Sequence, residues 1–228
     1  MKTKSGSCLY AIVSITLATV AMCVVDGIIS PPYLYKSIIK VVIFVLIPMT
    51  YFLTEKGKTK RLVKLFHPKK RSVFVAGGLG IGVFLVVMLA FFALGNLIDL
   101  EGIRDSLTSD AGVNAANFLY VALYISFFNS LLEEFFFRGY AFLMLKEEKG
   151  RKFAYIFSCA MFALYHVGMT SGWFNILIYI LSMAGLFIGG CIFNYLNEKC
   201  ENIYPSWLVH MCANFGINTI GFILFGII

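Results

Sequence analysis

The sequence predicts an all-α fold, a polytopic transmembrane helical bundle of about seven spans, with 1–228 as a single membrane domain. Three observations carry this expectation. Of 228 residues, 60% are hydrophobic and 14% are charged. A typical soluble domain is about 25% charged, and a chain of this size has too little interior to hide so much apolar surface from water. The apolar residues also fall in long unbroken runs, not in the short alternating segments of a membrane β-barrel. Finally, the basic residues are segregated into a few short connecting segments. An ordinary soluble enzyme, a disordered protein and a nucleic-acid reader are excluded on these grounds.

A spanning helix needs about 20 mostly apolar residues. Seven stretches qualify: 8–29, 36–54, 72–98, 115–145, 152–168, 173–195 and 204–227. The first follows Met1-Lys-Thr-Lys and reads as an anchor. It shows no small-x-small cleavage site, and Val20-Ala-Met-Cys23 lacks the small residue a lipobox needs before its Cys. The third contains Ala76-Gly-Gly-Leu-Gly-Ile-Gly82, and the sixth Gly185-Leu-Phe-Ile-Gly189; both runs are expected to serve close helix packing. The fourth is too long for one simple crossing, so it tilts or continues past the membrane surface. The fifth is short, and the sixth and seventh have room for a break each. Phe135–Phe137 and the other Phe residues read as lipid contact and packing. The six cysteines are scattered without a CxxC pair and read as small apolar packers.

Orientation follows from Lys and Arg. The segment 55–71 carries eight positive residues and one acid. With seven spans, the N-terminus, this segment, 146–152 and 197–203 share one side and hold 15 of the 19 Lys and Arg. The opposite loop, 99–114, is acidic, with Asp99, Glu101, Asp105 and Asp110 against Arg104. The expectation is an integral protein of a bacterial plasma membrane, N-terminus cytoplasmic and C-terminus outside. The basic segment 55–71 is expected to rest on anionic headgroups of the lipid bilayer.

Ionisable groups inside a membrane default to function. Span four contains Glu133-Glu134-Phe-Phe-Phe-Arg138, span five Phe162-Ala-Leu-Tyr-His166, and span seven His210-Met-Cys-Ala-Asn214. Residues four apart share a helix face. Glu134 can therefore pair with Arg138, while Glu133 is turned about 100° away and lacks that partner. His210 and Asn214 can point at one spot, and Phe162 can wall in His166. Counted from the cytoplasmic loops, Glu133 and His166 both lie about 20 Å deep, and the site is expected to open toward the cytoplasm. A carboxylate beside an imidazole can hold a water and take its proton. A second His and an Asn amide can donate to an oxyanion. This is a hydrolase arrangement without a covalent nucleophile; neither GxSxG nor HExxH occurs. The bland alternative is a set of interhelical hydrogen bonds that glue the bundle.

The three runs, in this order and on separate apolar spans, resemble the EExxxR, FxxxH and HxxxN signature of the CAAX protease and bacteriocin-processing (Abi) family, which includes the type II CAAX prenyl endopeptidases. The resemblance covers about 115–220 as a catalytic core; the N-terminal spans in 1–100 carry no such motif. It implies an intramembrane endopeptidase of glutamate type acting on a membrane-associated protein or peptide. It also implies Glu133 as general base, His166 as its partner, His210 with Asn214 as oxyanion hole, and Glu134, Arg138 and Phe162 as structural support. No cofactor is favoured. The alternative is zinc held by Glu133, His166 and His210. Bacterial members of the family are associated with bacteriocin maturation, self-immunity and membrane peptide processing. Two other readings stay open: a non-catalytic immunity or scaffold protein, and a small transporter with a buried Glu/His relay.

Overall fold

The computed structural model describes residues 4–54, 58–68, 70–170 and 175–228. Lys56 and Lys69 of the basic segment therefore lie outside the described residues, as do the start of the expected sixth span and the N-terminal Met1-Lys-Thr. The described residues form helices and connecting turns, with no strand among them. In chain order the helices are α1 (Lys4–Val24), α2 (Tyr33–Thr54), α3 (Lys58–Leu65), α4 (Lys70–Leu94), α5 (Leu100–Ser109), α6 (Phe118–Lys149), α7 (Arg151–Thr170), α8 (Ile176–Cys200) and α9 (Tyr204–Leu224). Seven of them, α1, α2, α4, α6, α7, α8 and α9, are long and apolar enough to cross a membrane. The chain is a polytopic helical bundle.

Local sequence explains where helices start and stop. Asp99 caps α5 by accepting from Gly102 N at 2.9 Å, and Asn175 caps α8 by accepting from Ile178 N at 3.0 Å. Gly150 separates α6 from α7 at φ +87°, a left-handed conformation that a side chain would strain. Pro205 sits in the first turn of α9, where a missing N–H costs nothing. Helices α8 and α9 run unbroken, so the breaks that their sequences left room for do not occur. Backbone bonds along α9 stay paired internally, as a lipid surround demands.

Helix α6 is the centre of the bundle. It touches α1, α2, α3, α7, α8 and α9. Its segment Glu134–Met144 forms wide π-helical turns, as does Tyr124–Asn129, and every residue of Glu134–Met144 is buried. Burial all round suits a helix that is mostly apolar, and Phe135, Phe136 and Phe137 supply much of that apolar surface. They pack inward: Phe136 stacks on Phe44 of α2 at 4.1 Å, and Phe137 meets Phe162 of α7 edge-on at 5.4 Å. The expectation of lipid contact for these three is corrected to interior packing.

Glycine packing is more selective than the sequence suggested. A Cβ on Gly80 would sit 3.1 Å from Cys212 Cβ, so α4 and α9 do touch there. Among the described residues, a Cβ on Gly77, Gly78, Gly82, Gly185 or Gly189 would meet nothing within 4 Å. A close backbone crossing lies elsewhere. A Cβ on Gly168 would sit 2.5 Å from the backbone oxygen of Cys23, where α7 meets α1. The six cysteines are free thiols, with Cys159 Sγ and Cys191 Sγ 3.1 Å apart between α7 and α8.

The basic segments gather at one end of the bundle, as seven crossings require. Lys58 Nζ lies 2.8 Å from Glu148 Oε1, Arg61 pairs with Glu147, and Lys64 pairs with Glu201. Leu65 is buried, and its carbonyl accepts from Ile203 N at 3.1 Å. Helix α3 thus lies across the ends of α6 and α9. Three of its cations meet protein carboxylates, not only the headgroups expected for them.

Gly168→Val should force the Cys23 backbone aside and cost about 1–3 kcal/mol. Gly185→Val, which faces open space, should stay within about 0.5 kcal/mol. Thermal unfolding of both variants in detergent measures the difference.

Candidate active site

Two adjacent carboxylates sit at the middle of α6. Glu133 is 1% exposed and Glu134 0%. An isolated buried carboxylate costs several kcal/mol, so each needs a cation. Arg138 supplies one: its Nε lies 3.5 Å from Glu134 Oε2, as the four-residue spacing predicts. The guanidinium is held between two rings, 3.9 Å above Phe162 and 4.9 Å from Phe193. Among the described residues none of its three nitrogens has a hydrogen-bond partner. Charge and the two π faces hold it. Phe162 therefore walls the site on two sides, because it also meets His166 edge-on at 4.7 Å.

The cation beside Glu133 is one the motifs do not contain. Lys40, on the second turn of α2, is buried, and its Nζ lies 3.6 Å from Glu133 Oε1. The same Nζ donates to Asn129 Oδ1 at 2.7 Å, and Asn129 Nδ2 donates to Glu133 Oε1 at 2.8 Å. Tyr165 OH donates to that same oxygen at 3.2 Å. Four residues apart on α6, Asn129 and Glu133 share a face. The sequence left one signal for Lys40: Lys36 and Lys40 are among the four cations that the topology count does not use. Lys36 pairs with the buried Asp26 at 3.6 Å.

Glu133 Oε2 has no hydrogen-bond partner among the described residues. It faces the Nε2 atoms of His166 at 4.0 Å and His210 at 3.8 Å. His166 Nδ1 lies 2.8 Å from the carbonyl of Phe162, and His210 Nδ1 lies 2.9 Å from Glu134 Oε1. A carbonyl or carboxylate only accepts, so both Nδ1 atoms carry hydrogen. In a neutral imidazole Nε2 is then the acceptor. One carboxylate oxygen and two ring nitrogens, all acceptors, thus converge on one place. A water oxygen placed between Glu133 Oε2 and one of the ring nitrogens can lie about 2.8 Å from both and donate to both.

Helix α9 supplies His210 from a polar stripe. Trp207 Nε1 donates to Phe127 O at 3.1 Å, Asn214 Nδ2 to Ile125 O at 3.1 Å, and Asn218 Nδ2 to Ala122 O at 3.1 Å. These carbonyls border the π-helical turns of Tyr124–Asn129, and each has a second lone pair for such a donor. Asn214 is thus placed on the α6 backbone beside His210. Trp207 and Asn218 were missed in the sequence; their spacing from His210 is the signal that could have found them. Among the described residues no three His, Cys, Asp or Glu side chains form a ready-made metal cluster.

A polytopic membrane helix bundle with paired carboxylates and two imidazoles at its centre has the groups of a membrane-embedded peptidase. Residues 115–216, a little under half of the chain, match the family model described as Type II CAAX prenyl endopeptidase Rce1-like, in line with the family that the three motifs resemble. The matched stretch runs from just before α6 into α9 and leaves Lys40 outside it. Comparison with curated proteins and with solved structures returned no match.

Arg138→Ala should leave Glu134 buried without its cation and lower stability by about 3–5 kcal/mol. Folded yield and thermal unfolding read this directly; normal yield and stability would refute the pairing.

Proposed function

We propose that the chain is an intramembrane endopeptidase that hydrolyses a peptide bond of a membrane-associated protein or peptide. The observation that carries the reading is the convergence of Glu133 Oε2 with the Nε2 atoms of His166 and His210. Glu133 and His166 hold the water. As its oxygen bonds to the carbonyl carbon, Glu133 Oε2 takes its proton. The oxyanion that forms is met by Asn214, whose amide has two N–H groups of which Ile125 O takes one. His210 also donates to it from Nε2 when both ring nitrogens carry hydrogen. Glu134 Oε1, 2.9 Å away, accepts from Nδ1 in that form. Collapse then breaks the C–N bond, and the proton on Glu133 passes to the leaving nitrogen.

The metal-free version is preferred on charge. Lys40 and Arg138 already balance Glu133 and Glu134, and a dication would leave two positive charges uncompensated in low dielectric. Zinc bonded to Glu133, His166 and His210 would also need these donors roughly 3.3–3.5 Å apart, closer than the 3.8 and 4.0 Å found. The basic end of the bundle is read as cytoplasmic, with the N-terminus inside and the C-terminus outside. His210 is six residues into α9 from that end, which supports access from the cytoplasm. A bacterial plasma membrane and a role in bacteriocin or other membrane-peptide processing belong to the same proposal.

The test compares membrane peptides from cells that express wild type or Glu133→Gln. Peptides made by the wild type should be lost with the variant, a fall in rate of about 10²–10⁴-fold. Because Glu133→Gln strands Lys40, a Glu133→Gln/Lys40→Met variant, neutral on both sides, checks that loss of cleavage is not loss of fold. Full cleavage by either folded variant would end the hydrolytic reading. Asn214→Ala should cost about 10²–10³-fold in kcat with the fold intact. Activity should survive chelation; stoichiometric zinc lost together with activity would overturn the metal-free choice.

A further inference from the structure

We infer that Lys40 is a positioning residue for this hydrolysis: acting with Asn129, it fixes Glu133 so that Oε1 is held and Oε2 is the oxygen that works. The inference rests on the hydrolytic reading above and adds a residue that lies outside the family motifs.

The contacts on the two oxygens of Glu133 are lopsided. Oε1 receives Asn129 Nδ2 at 2.8 Å, Tyr165 OH at 3.2 Å and Lys40 Nζ at 3.6 Å. Oε2 receives none of these and faces the two imidazoles. A free glutamate has no such preference, because rotation about its last torsion is broad and nearly two-fold. Lys40 removes the symmetry in two ways. Its charge lies on the Oε1 side. It also sets the orientation of Asn129: an ammonium only donates, so Asn129 must turn Oδ1 toward it, and Nδ2 is then left for Glu133. With a neutral side chain at position 40, Asn129 can flip and present its oxygen to the carboxylate, which would repel it.

Lys40 itself has little freedom. It is 8% exposed, and its ammonium lies 5.0 Å from the ring centre of Tyr165. The other buried acid nearby, Asp26, has Lys36 as its partner. Lys40 thus comes to Glu133 from a separate helix and ties α2 to the working part of α6.

The experiment has a thermal arm and a kinetic arm, both on the full chain in detergent. In the thermal arm Lys40→Met should lower Tm by roughly 6 °C or more, and adding Glu133→Gln should restore most of it, because removing both charges leaves neither stranded. In the kinetic arm the probe is a fluorogenic peptide bearing a cleavage site that wild-type membranes use and Glu133→Gln membranes do not. Lys40→Met should reduce kcat about 100-fold, the cost of a small misplacement of a reacting group. KM should stay within about threefold. Lys40→Arg, which keeps a donor-only cation, should recover most of the rate. Lys36→Met should not change it. A thermal coupling with unchanged kcat would make Lys40 a charge balancer only and overturn the inference. Absence of thermal coupling would overturn it whatever the kinetics. A wild type that yields no cleavage site at all counts against the hydrolytic reading, and the inference falls with it.

Discussion

Two carboxylates occupy neighbouring positions of one helix at the centre of this bundle, and both are buried. Moving a carboxylate from water to a dry interior costs of order 20 kcal/mol in the idealised limit and still several in a real protein. The architecture answers with one cation for each. Arg138 reaches Glu134 along α6 itself, and Lys40 reaches Glu133 from α2. The rest follows from keeping these four charges in place. Helix α2 must lie against α6, which the Phe44–Phe136 stack ensures. Phe162 and Phe193 must close over Arg138, which brings α7 and α8 to the same spot. Helix α9 must come near enough for His210 to meet Glu134.

The two pairs have different chemistry open to them. Glu134 is enclosed by Arg138 and His210 and has no room to act. Each glutamate has one oxygen, Oε2, without a hydrogen bond among the described residues, but that of Glu134 lies against Arg138 while that of Glu133 faces two imidazoles. His210 links the pairs, since Nδ1 meets Glu134 while Nε2 faces Glu133. In the proposed mechanism the Glu134–Arg138 pair therefore orients the imidazole that Glu133 uses, much as outer-shell partners orient ligands at a metal site. This gives adjacent glutamates distinct parts without any difference in residue type.

The spans were legible because lipid imposes a length and a composition that few other constraints produce. The candidate site was legible for the same reason: in so apolar a chain Glu133, Glu134, Arg138, His166 and His210 stand out, and helical spacing links Glu134 to Arg138. Lys40 was not legible in that way. It lies 93 residues before Glu133, near the start of a span where a lysine reads as flank. Helical periodicity says nothing about a partner on another helix. Asp26 and Lys36 were hidden likewise. For Phe135–Phe137 the expectation of packing held and that of lipid contact did not, because apolar residues look alike to lipid and to protein interior. The glycine runs erred for a related reason: a small residue permits close approach, but only a neighbour such as Cys212 at Gly80 makes it happen.

The most direct measurement is a set of thermal double-variant cycles taken across both charge pairs. Lys40→Met should couple strongly to Glu133→Gln, and Arg138→Met to Glu134→Gln. The crossed combinations, Lys40→Met with Glu134→Gln and Arg138→Met with Glu133→Gln, should couple clearly less, because among the described residues His210 is all that links the two pairs. Equal coupling in all four combinations would mean one diffuse cluster of charge. That result would contradict the assignment of one cation to each carboxylate, and with it the division between a working and a supporting glutamate.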